Sequence, residues 1–451
     1  MINKVYLLGI GGIGMSALAR YFLAQGHSVS GYDRSSSSIT VALEREGAKI
    51  SYRDIANELD SSLLKNKESL FIYTPAIPKN NAILQFLKNK GERLYKRSEI
   101  LGELSKKYQA IAIAGTHGKT TVSSMTAHIL NSCELGCQAF LGGITKNYDS
   151  NLITHPSSPW MVVEADEYDR SFLKLFPQIG LITAMDADHL DIYKTHQNLL
   201  DAFKQFTLQI QKEGSLIIKH SLKKHFQNSR LYFTYDLNHP SADFYAEDIR
   251  LVKQIYHFTL VTPQRKIKGL TLSMPGKINL ENAIAASTAA FIAGAKDENI
   301  REALLSFKGI KRRMELVFQN NEVSFYDDYA HHPEEINAAI ASLKALYPQH
   351  KLTVVFQPHL FTRTRDFALE FAASLDKADQ IILLDIYPAR EEPIEGVSSL
   401  LILNKMQNIH KLILQKEELI PFLKDIKPQL LLTIGAGNID RLVEPIKTSF
   451  Q

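Results

Sequence analysis

The sequence predicts an α/β protein of three segments, and three observations carry that expectation. Strand-like apolar runs alternate with helical patterns in each third of the chain. The first strand runs into a glycine-rich turn, and a later strand runs into a loop ending Gly118-Lys119-Thr120-Thr121. At about 150 residues per domain, 451 residues accommodate two to four domains.

The first segment, 1–108, opens with a predicted strand over Lys4–Ile10, the glycine turn, a helix near Met15–Gln25 and a second strand, His27–Tyr32, ending at Asp33. It closes in a charged helical stretch over Ser98–Tyr108. The second, 109–309, opens with the apolar strand Ala110–Ala114. The runs Trp160–Val163 and Gly180–Met185, with Ser215–Lys219 and Tyr256–Val261, predict one sizeable mixed sheet. Helices follow over Asn279–Ala293 and near Asn299–Phe307. The third, 310–451, carries predicted strands Val323–Asp327, Leu352–Gln357, Gln380–Ile386 and Leu430–Ile434 with helices between them.

Hydrophobic residues make up 45% of the chain and charged residues 22%, a globular balance. No run of about 18 apolar residues calls for membrane insertion. The mild basicity, a net charge of +4 and a pI near 8.7, fits anionic small molecules and is too dispersed for nucleic acid. The N-terminus enters the glycine turn directly, without the small-residue cleavage site of a leader, so a cytoplasmic location is expected. Cys133 and Cys137 stand four apart with no second pair, which fits idle thiols in a reducing compartment better than a zinc site.

The string Gly115-Thr116-His117-Gly118-Lys119-Thr120-Thr121 lies between the strand Ala110–Ala114 and a helical pattern over Val122–Leu130. Backbone N–H groups and a helix N-terminus attract phosphate oxygens there. Lys119 can reach the β- and γ-phosphates, and the Thr120 hydroxyl can ligate magnesium. Ile113 stands where the general pattern has its first glycine. Two further apolar runs end in acids: Glu164, Asp166 and Glu167 after Trp160–Val163, and Asp186, Asp188, His189 and Asp191 after Gly180–Met185. Ligands in open α/β sheets collect at the carboxyl ends of strands, which makes Glu164 a candidate metal ligand. His189 is the unusual member, because imidazole is not a preferred magnesium ligand.

Gly9, Gly11 and Gly14 form G-x-G-x-x-G between strand and helix, with Asp33 at the end of the next strand. That layout fits a dinucleotide, and equally any ligand with a pyrophosphate and a ribose, such as a UDP-sugar. An NAD-dependent dehydrogenase therefore stays open at this point. In the third segment, Tyr326–Pro333 holds the adjacent His331 and His332, and His359, Arg363 and Arg365 follow another strand. Adjacent histidines do not converge on a regular helix or strand, so zinc is not expected. The arginines suit a carboxylate or phosphate.

The strings GIGGIGMSALAR, GTHGKTT, EADEYDRSF, DADHLDIY, GKINLENAIAA, KRRME, DDYAHHP, FQPHLFTRTRDF, DIYPAREEPIEGV and GAGNID spread over all three segments. Together they make the chain resemble the Mur ligases of peptidoglycan synthesis. GIGGIGMSALAR, DDYAHHP and FQPHLFTRTRDF point to the member that adds L-alanine to UDP-N-acetylmuramate. The resemblance implies three domains: 1–108, Rossmann-like, for the UDP-sugar; 109–309, a central P-loop mononucleotide-binding sheet with helices, for ATP; and 310–451, Rossmann-like, for the amino acid. It implies ATP and Mg²⁺, with small-molecule substrates, and the oligomeric state, monomer or homodimer, stays open.

On this resemblance Gly9, Gly11, Gly12, Gly14, Met15, Ser16 and Asp33 hold the UDP moiety, so NAD is not implied. Thr120, Glu164 and His189 hold metal. Residues 115–121 with Asn279, Asn282 and Arg313 hold ATP, although Ile278 stands where many relatives have histidine. Lys119, Glu164, His189, His331 and His332 are the catalytic candidates, and Arg363 and Arg365 the alanine-binding ones. Lys204 lies in the region where several relatives carry a carbamylated, metal-binding lysine, and that role is not expected for it. A related ligase that recycles murein peptides shares the fold, but its glycine turn differs from GGIGMSALA.

Overall fold

The computed structural model describes residues 3–64, 68–186, 190–226, 232–389 and 391–451. The chain divides into two compact units. The first comprises Met1–Arg250, His257–Leu272 and Glu281–Phe307, and the second Leu251–Tyr256, Ser273–Leu280 and Lys308–Gln451. Among the described residues no helix is long and apolar enough to cross a membrane.

The first unit holds a five-stranded parallel sheet in the order Lys49–Ser51, Ser28–Tyr32, Lys4–Leu8, Ser69–Tyr73, Leu94–Lys96. The first strand in sequence is thus central, and the order reverses beside it, where α/β sheets open a crevice for ligands. A seven-stranded sheet follows in the order Tyr232–Tyr235, Ser215–Lys219, Ile179–Ile182, Gln109–Ala114, Trp160–Ala165, Gln138–Thr145, Ser150–Ile153. All its pairs are parallel except the last. Its central strand has Ala110 to Ala114 fully buried, as a parallel strand covered on both faces requires.

One hydrophobic cluster runs from Val5 and Leu18 beside the first sheet to Phe140, Phe172 and Phe206 beside the second. A polar clamp reinforces it. The buried Asn151 side chain donates to Ile13 O (2.5 Å) and Ser16 Oγ (2.9 Å) and accepts from Arg20 Nη1. Arg20 also pairs with Glu46 at 2.9 Å. The helix Ile13–Ala24, which leaves the glycine turn, is thereby bolted to the edge strand Ser150–Ile153 of the other sheet.

Two expectations shift. Tyr256–Val261 lies in the strand Ile255–Val261 of a separate three-stranded sheet with Tyr245–Val252 and Lys266–Leu272, not in the large sheet. These strands mix buried with exposed positions, as in a sheet that is only partly covered. The first strand stops at Leu8 instead of Ile10, because Gly9 turns the chain at φ 83°.

The second unit holds a six-stranded sheet in the order Glu315–Gln319, Ser324–Asp328, Leu430–Ile434, Leu352–Phe356, Gln380–Leu383, Lys411–Ile413. Only the first pair is antiparallel. Successive residues feed opposite faces: Val354 and Leu432 pack with Ile340 and Phe371, while Val355 and Leu431 pack with Leu419 and Ile446.

Candidate active site

The loop after the strand Gln109–Ala114 is shaped by two left-handed glycines, Gly115 at φ 134° and Gly118 at φ 81°. Gly118 caps the helix Lys119–Asn131, which begins three residues earlier than its apolar pattern indicates. A methyl group on Gly115 would overlap Thr183 Oγ1, and one on Gly118 would stand 2.8 Å from Asn282 Oδ1. The neighbouring strand end completes the cradle. Thr183 N–H donates to Ala114 O (3.0 Å) and its hydroxyl to His117 O. Thr116 N–H donates to Ala184 O (3.1 Å), and the Thr116 hydroxyl accepts from Asp186 N–H (3.2 Å). Thr183 was not foreseen, because an isolated threonine in an apolar run carries no sequence signal.

Lys119 Nζ donates to Gly115 O (2.6 Å) and to Glu167 Oε1 (2.8 Å), and Glu167 is fully buried. Burial works to lower the lysine pKa, but the carboxylates of Glu167, Asp166 and Glu164 outweigh it and hold it above the ordinary value. The lysine is therefore a firm cation folded back over its own loop. Glu167, singled out in the sequence only as one acid of a run, is its direct ion-pair partner. Glu164, at the end of Trp160–Ala165, accepts from Gly142 N–H (3.1 Å), and a methyl group on Gly142 would overlap its carboxylate. The Tyr193 hydroxyl donates to Glu167 O (2.6 Å) and steadies the segment. Asp169 and Arg170 just beyond sit in the left-handed region at φ 53° and 55°, a strain that clusters at functional sites. His189 lies outside the described residues.

The first glycine turn is built differently. Asp33 Oδ2 accepts from Gly11 N–H (2.8 Å) and Oδ1 from Arg34 N–H (2.8 Å), so the acid holds the turn. Gly9 N–H and Ile10 N–H both donate to Tyr32 O. Met15 and Ser16 are buried, Met15 in the core and Ser16 on Asn151, and neither is presented to solvent. Arg97 packs against Gly14, where any side chain would overlap its guanidinium, and reaches Asp166 Oδ2 at 3.3 Å.

In the second unit the DDYAHHP loop gathers a polar cluster. The rings of His331 and His332 come within 5.2 Å, closer than regular geometry predicts, because the pair straddles the loop entering the helix Pro333–Leu346. His331 lies 6.0 Å from the His359 ring, and Arg363 Nη1 lies 3.4 Å from His359 Nδ1. His331 Nδ1–H donates to Tyr329 O (3.0 Å), and burial depresses its pKa to about 4, so it is a neutral ring at pH 7. Arg365 instead pairs with its neighbour Asp366 at 2.7 Å and is half exposed.

Arg313 lies over the Tyr329 ring at 5.1 Å. The Asn279 side chain donates to Pro275 O (2.7 Å), and Ile278 is exposed. Burial raises the pKa of Asp327 to about 7 and that of Asp328 to about 6, and Asp328 accepts from Met314 N–H (2.6 Å). In the first unit Lys204 is half exposed and pairs with Asp201 at 3.6 Å. Cys137 is buried, with its thiol pKa raised by burial, and Cys133 is partly exposed.

A phosphate cradle, a lysine paired with a buried carboxylate, and strand-end carboxylates on a largely parallel sheet define a nucleotide-using enzyme. Three family models cover almost all of the chain: the Mur ligase family catalytic domain over residues 4–109, the Mur ligase middle domain over 113–290 and the Mur ligase glutamate ligase domain over 312–437. The chain belongs to the Mur ligase family. A UDP-N-acetylmuramate–L-alanine ligase of Parabacteroides distasonis is 46% identical over 448 residues, 99% of this chain and 97% of the relative. Two solved structures share the fold, each aligned over 99% of this chain. The UDP-N-acetylmuramate–alanine ligase of Thermotoga maritima matches with a TM-score of 0.83, 24% identity and 99% of its own chain. A murein peptide ligase of Psychrobacter arcticus matches with a TM-score of 0.72, 22% identity and 98% of its own chain. Membership in this family removes the dehydrogenase reading of the first glycine turn.

Proposed function

We propose that this chain joins L-alanine to the carboxylate of UDP-N-acetylmuramate, consuming ATP and passing through an acyl phosphate. The observation that carries the reading is Lys119, held as a cation among Glu164, Asp166 and Glu167, in a chain 46% identical end to end to an alanine-adding relative. The murein-peptide alternative has fold likeness behind it, whereas the alanine reading also has identity over the full length. Domain limits at 108/109 and 309/310 belong to the same proposal and are supported by where the three family matches begin and end.

A carboxylate does not condense with an amine at neutral pH, because oxide is too poor a leaving group. Transfer of the ATP γ-phosphoryl group to the acid creates a phosphate leaving group, which the alanine amine displaces. In this scheme the loop Gly115–Thr121 cradles the phosphates, and Lys119 turns from Glu167 to the transferring group. Asn279, Asn282 and Arg313 serve the rest of the nucleotide, and the turn Gly9–Gly14 serves the UDP moiety.

Glu164 and Thr120 offer hard oxygen donors of the kind magnesium takes. Among the described residues no group of three His, Cys, Asp or Glu side chains could hold a metal. One carboxylate and one hydroxyl, with nucleotide phosphates and water supplying the remaining ligands, match how magnesium is usually bound. When bound, the ion would neutralise charge on the transferring group. His189 is assigned to a second ion on the resemblance alone. Arg363, beside His359, suits the alanine carboxylate. The low pKa of His331 makes it a weak base and favours an orienting role for it, which leaves His332 as the candidate to take the ammonium proton.

The test is phosphate release from ATP across a panel of acceptors and amino acids. Release that requires both UDP-N-acetylmuramate and L-alanine is expected. Release with a murein tripeptide in place of alanine, or without any acceptor, would remove the proposal.

A further inference from the structure

We propose that Arg97 is a binding residue for the diphosphate of the nucleotide-linked acceptor, an inference that rests on the function proposed above. Arg97 opens the helix Arg97–Lys107, on the far side of the five-stranded sheet's last strand, Leu94–Lys96. Its guanidinium nevertheless reaches the first glycine turn and packs against Gly14, where a methyl group would overlap Nη1 and stand only 2.9 Å from Cζ. The third glycine of that motif thus has a reason that phosphate approach alone does not give: it makes room for an arginine.

The placement gathers positive charge at the turn, offset by Asp33 on the turn amide and by the contact of Arg97 with Asp166. The helix Ile13–Ala24 begins at Gly12 with no side-chain cap and no acid in its first turn, so its N-terminus keeps its partial positive charge. Packing a guanidinium against that end sets like charge against like. Among the described residues the hydrogen bond recorded for Arg97 is a long one, 3.3 Å from Nη2 to Asp166 Oδ2, on a carboxylate about one-third exposed. A guanidinium carries five donors in a planar fork, so most of its capacity remains for a ligand. The adjacent Lys96 is engaged more tightly, at 2.8 Å from Asp169, and so does not compete for Asp166.

A diphosphate at the turn would complete the arrangement, because guanidinium and phosphate meet in bidentate geometry. The contact with Asp166 then acts as a rest position. Asp166 stands one residue before Glu167, the partner of Lys119. Arg97 therefore touches both the acceptor turn and the segment lining the phosphoryl-transfer loop.

The experiment measures binding to the full-length protein by calorimetry, with UDP, UDP-N-acetylmuramate and magnesium-ATP as separate probes. Arg97→Met is expected to weaken UDP and UDP-N-acetylmuramate by the same factor, about tenfold or more for a charged contact. ATP affinity should stay within twofold, which also reports correct folding. Arg97→Lys keeps the charge, loses the fork and should lie between wild type and Arg97→Met. Unchanged UDP affinity in Arg97→Met would overturn the proposal, and so would weakening confined to UDP-N-acetylmuramate, which would place the contact on the sugar carboxylate. Should Arg97→Met also lose ATP, Arg97→Lys decides: weaker UDP with normal ATP supports the proposal, and wild-type UDP affinity overturns it. Wild-type protein that binds ATP but neither uridine nucleotide would instead sink the acceptor reading beneath it.

Discussion

The turn at Gly9–Gly14 follows the middle strand of five, and the loop at Gly115–Thr121 follows the middle strand of seven. Both are glycine-rich, and both lead into a long helix. In the first, a carboxylate, Asp33, occupies a turn amide, and the cation, Arg97, arrives from a distant helix. In the second, the neighbouring strand end at Thr183 and Ala184 fixes the loop, and the cation, Lys119, belongs to the loop itself. The glycines answer different neighbours: Thr40, Asp33 and Arg97 in one turn, Thr183 and Asn282 in the other. A loop that carries its own cation is suited to a group being transferred, while a loop with a borrowed cation is suited to holding a group that stays intact.

That contrast predicts unequal responses. Lys119→Ala should cost at least about 10² in turnover by removing charge stabilisation from the transferring group, and a rate within threefold of wild type would erase the distinction. It should also destabilise the protein, by roughly 3–5 kcal/mol, because Glu167 would be left as a buried carboxylate without its cation. Thermal or denaturant unfolding reads that, and adding Glu167→Gln should recover stability but not activity.

Gly115→Ala and Gly14→Ala should separate the two turns. Displacing a positioned group costs roughly 10-fold to 10²-fold. The first change should raise the KM for ATP, and the second the KM for the UDP-sugar, with little crossover. Equal effects on both substrates would mean that the turns act as one site. Asn151→Ala strips partners from Arg20 and Ser16 and should cost about 1–3 kcal/mol by unfolding. It should also raise the UDP-sugar KM more than the ATP KM, because the helix it anchors leaves the first turn. A stability loss with both KM values unchanged would confine Asn151 to packing.

In the second unit the same logic ranks two arginines. Arg363→Ala should raise the alanine KM clearly, whereas Arg365→Ala, which loses an exposed pairing with Asp366, should change it less. The reverse order would move the alanine pocket. A separate effect concerns pH. Asp327 has its pKa held up near 7 by burial, against an ordinary value near 4, so the folded state retains a proton that the unfolded state loses. Its contribution to stability is full below the unfolded value and is lost as pH rises through about 7. His331 acts in the opposite sense: its contribution is full above its ordinary value and is lost as pH falls through about 4. Asp327→Asn should therefore gain on wild type steadily between pH 4 and 8 in thermal unfolding, and parallel curves would exclude a buried, protonated Asp327.

Much of this was legible beforehand, for identifiable reasons. Strands such as Leu430–Ile434 announce themselves because a parallel strand covered on both faces must be apolar throughout. Gly118, Lys119 and Glu164 stand in local strings whose spacing is set by a strand and a turn. The separate sheet at Ile255–Val261 was missed because a short apolar run does not reveal which sheet receives it. Thr183, Glu167 and Arg97 were missed as site members for another reason. Each acts across 48 or more positions of chain, as in the 48-residue separation of Lys119 from Glu167, and pairings at that range leave no local pattern. Met15 and Ser16 belong to a matching string, yet they face the interior because the helix that carries them is buried all round from Met15 to Phe22.

The most direct measurement follows oxygen. UDP-N-acetylmuramate labelled with ¹⁸O in its carboxylate, incubated with the enzyme, magnesium-ATP and L-alanine, should yield inorganic phosphate carrying one ¹⁸O per turnover, because the acid's oxygen leaves with the phosphoryl group it received. Phosphate free of label, with amide product still formed, would contradict transfer to the acid and with it the role given to Lys119.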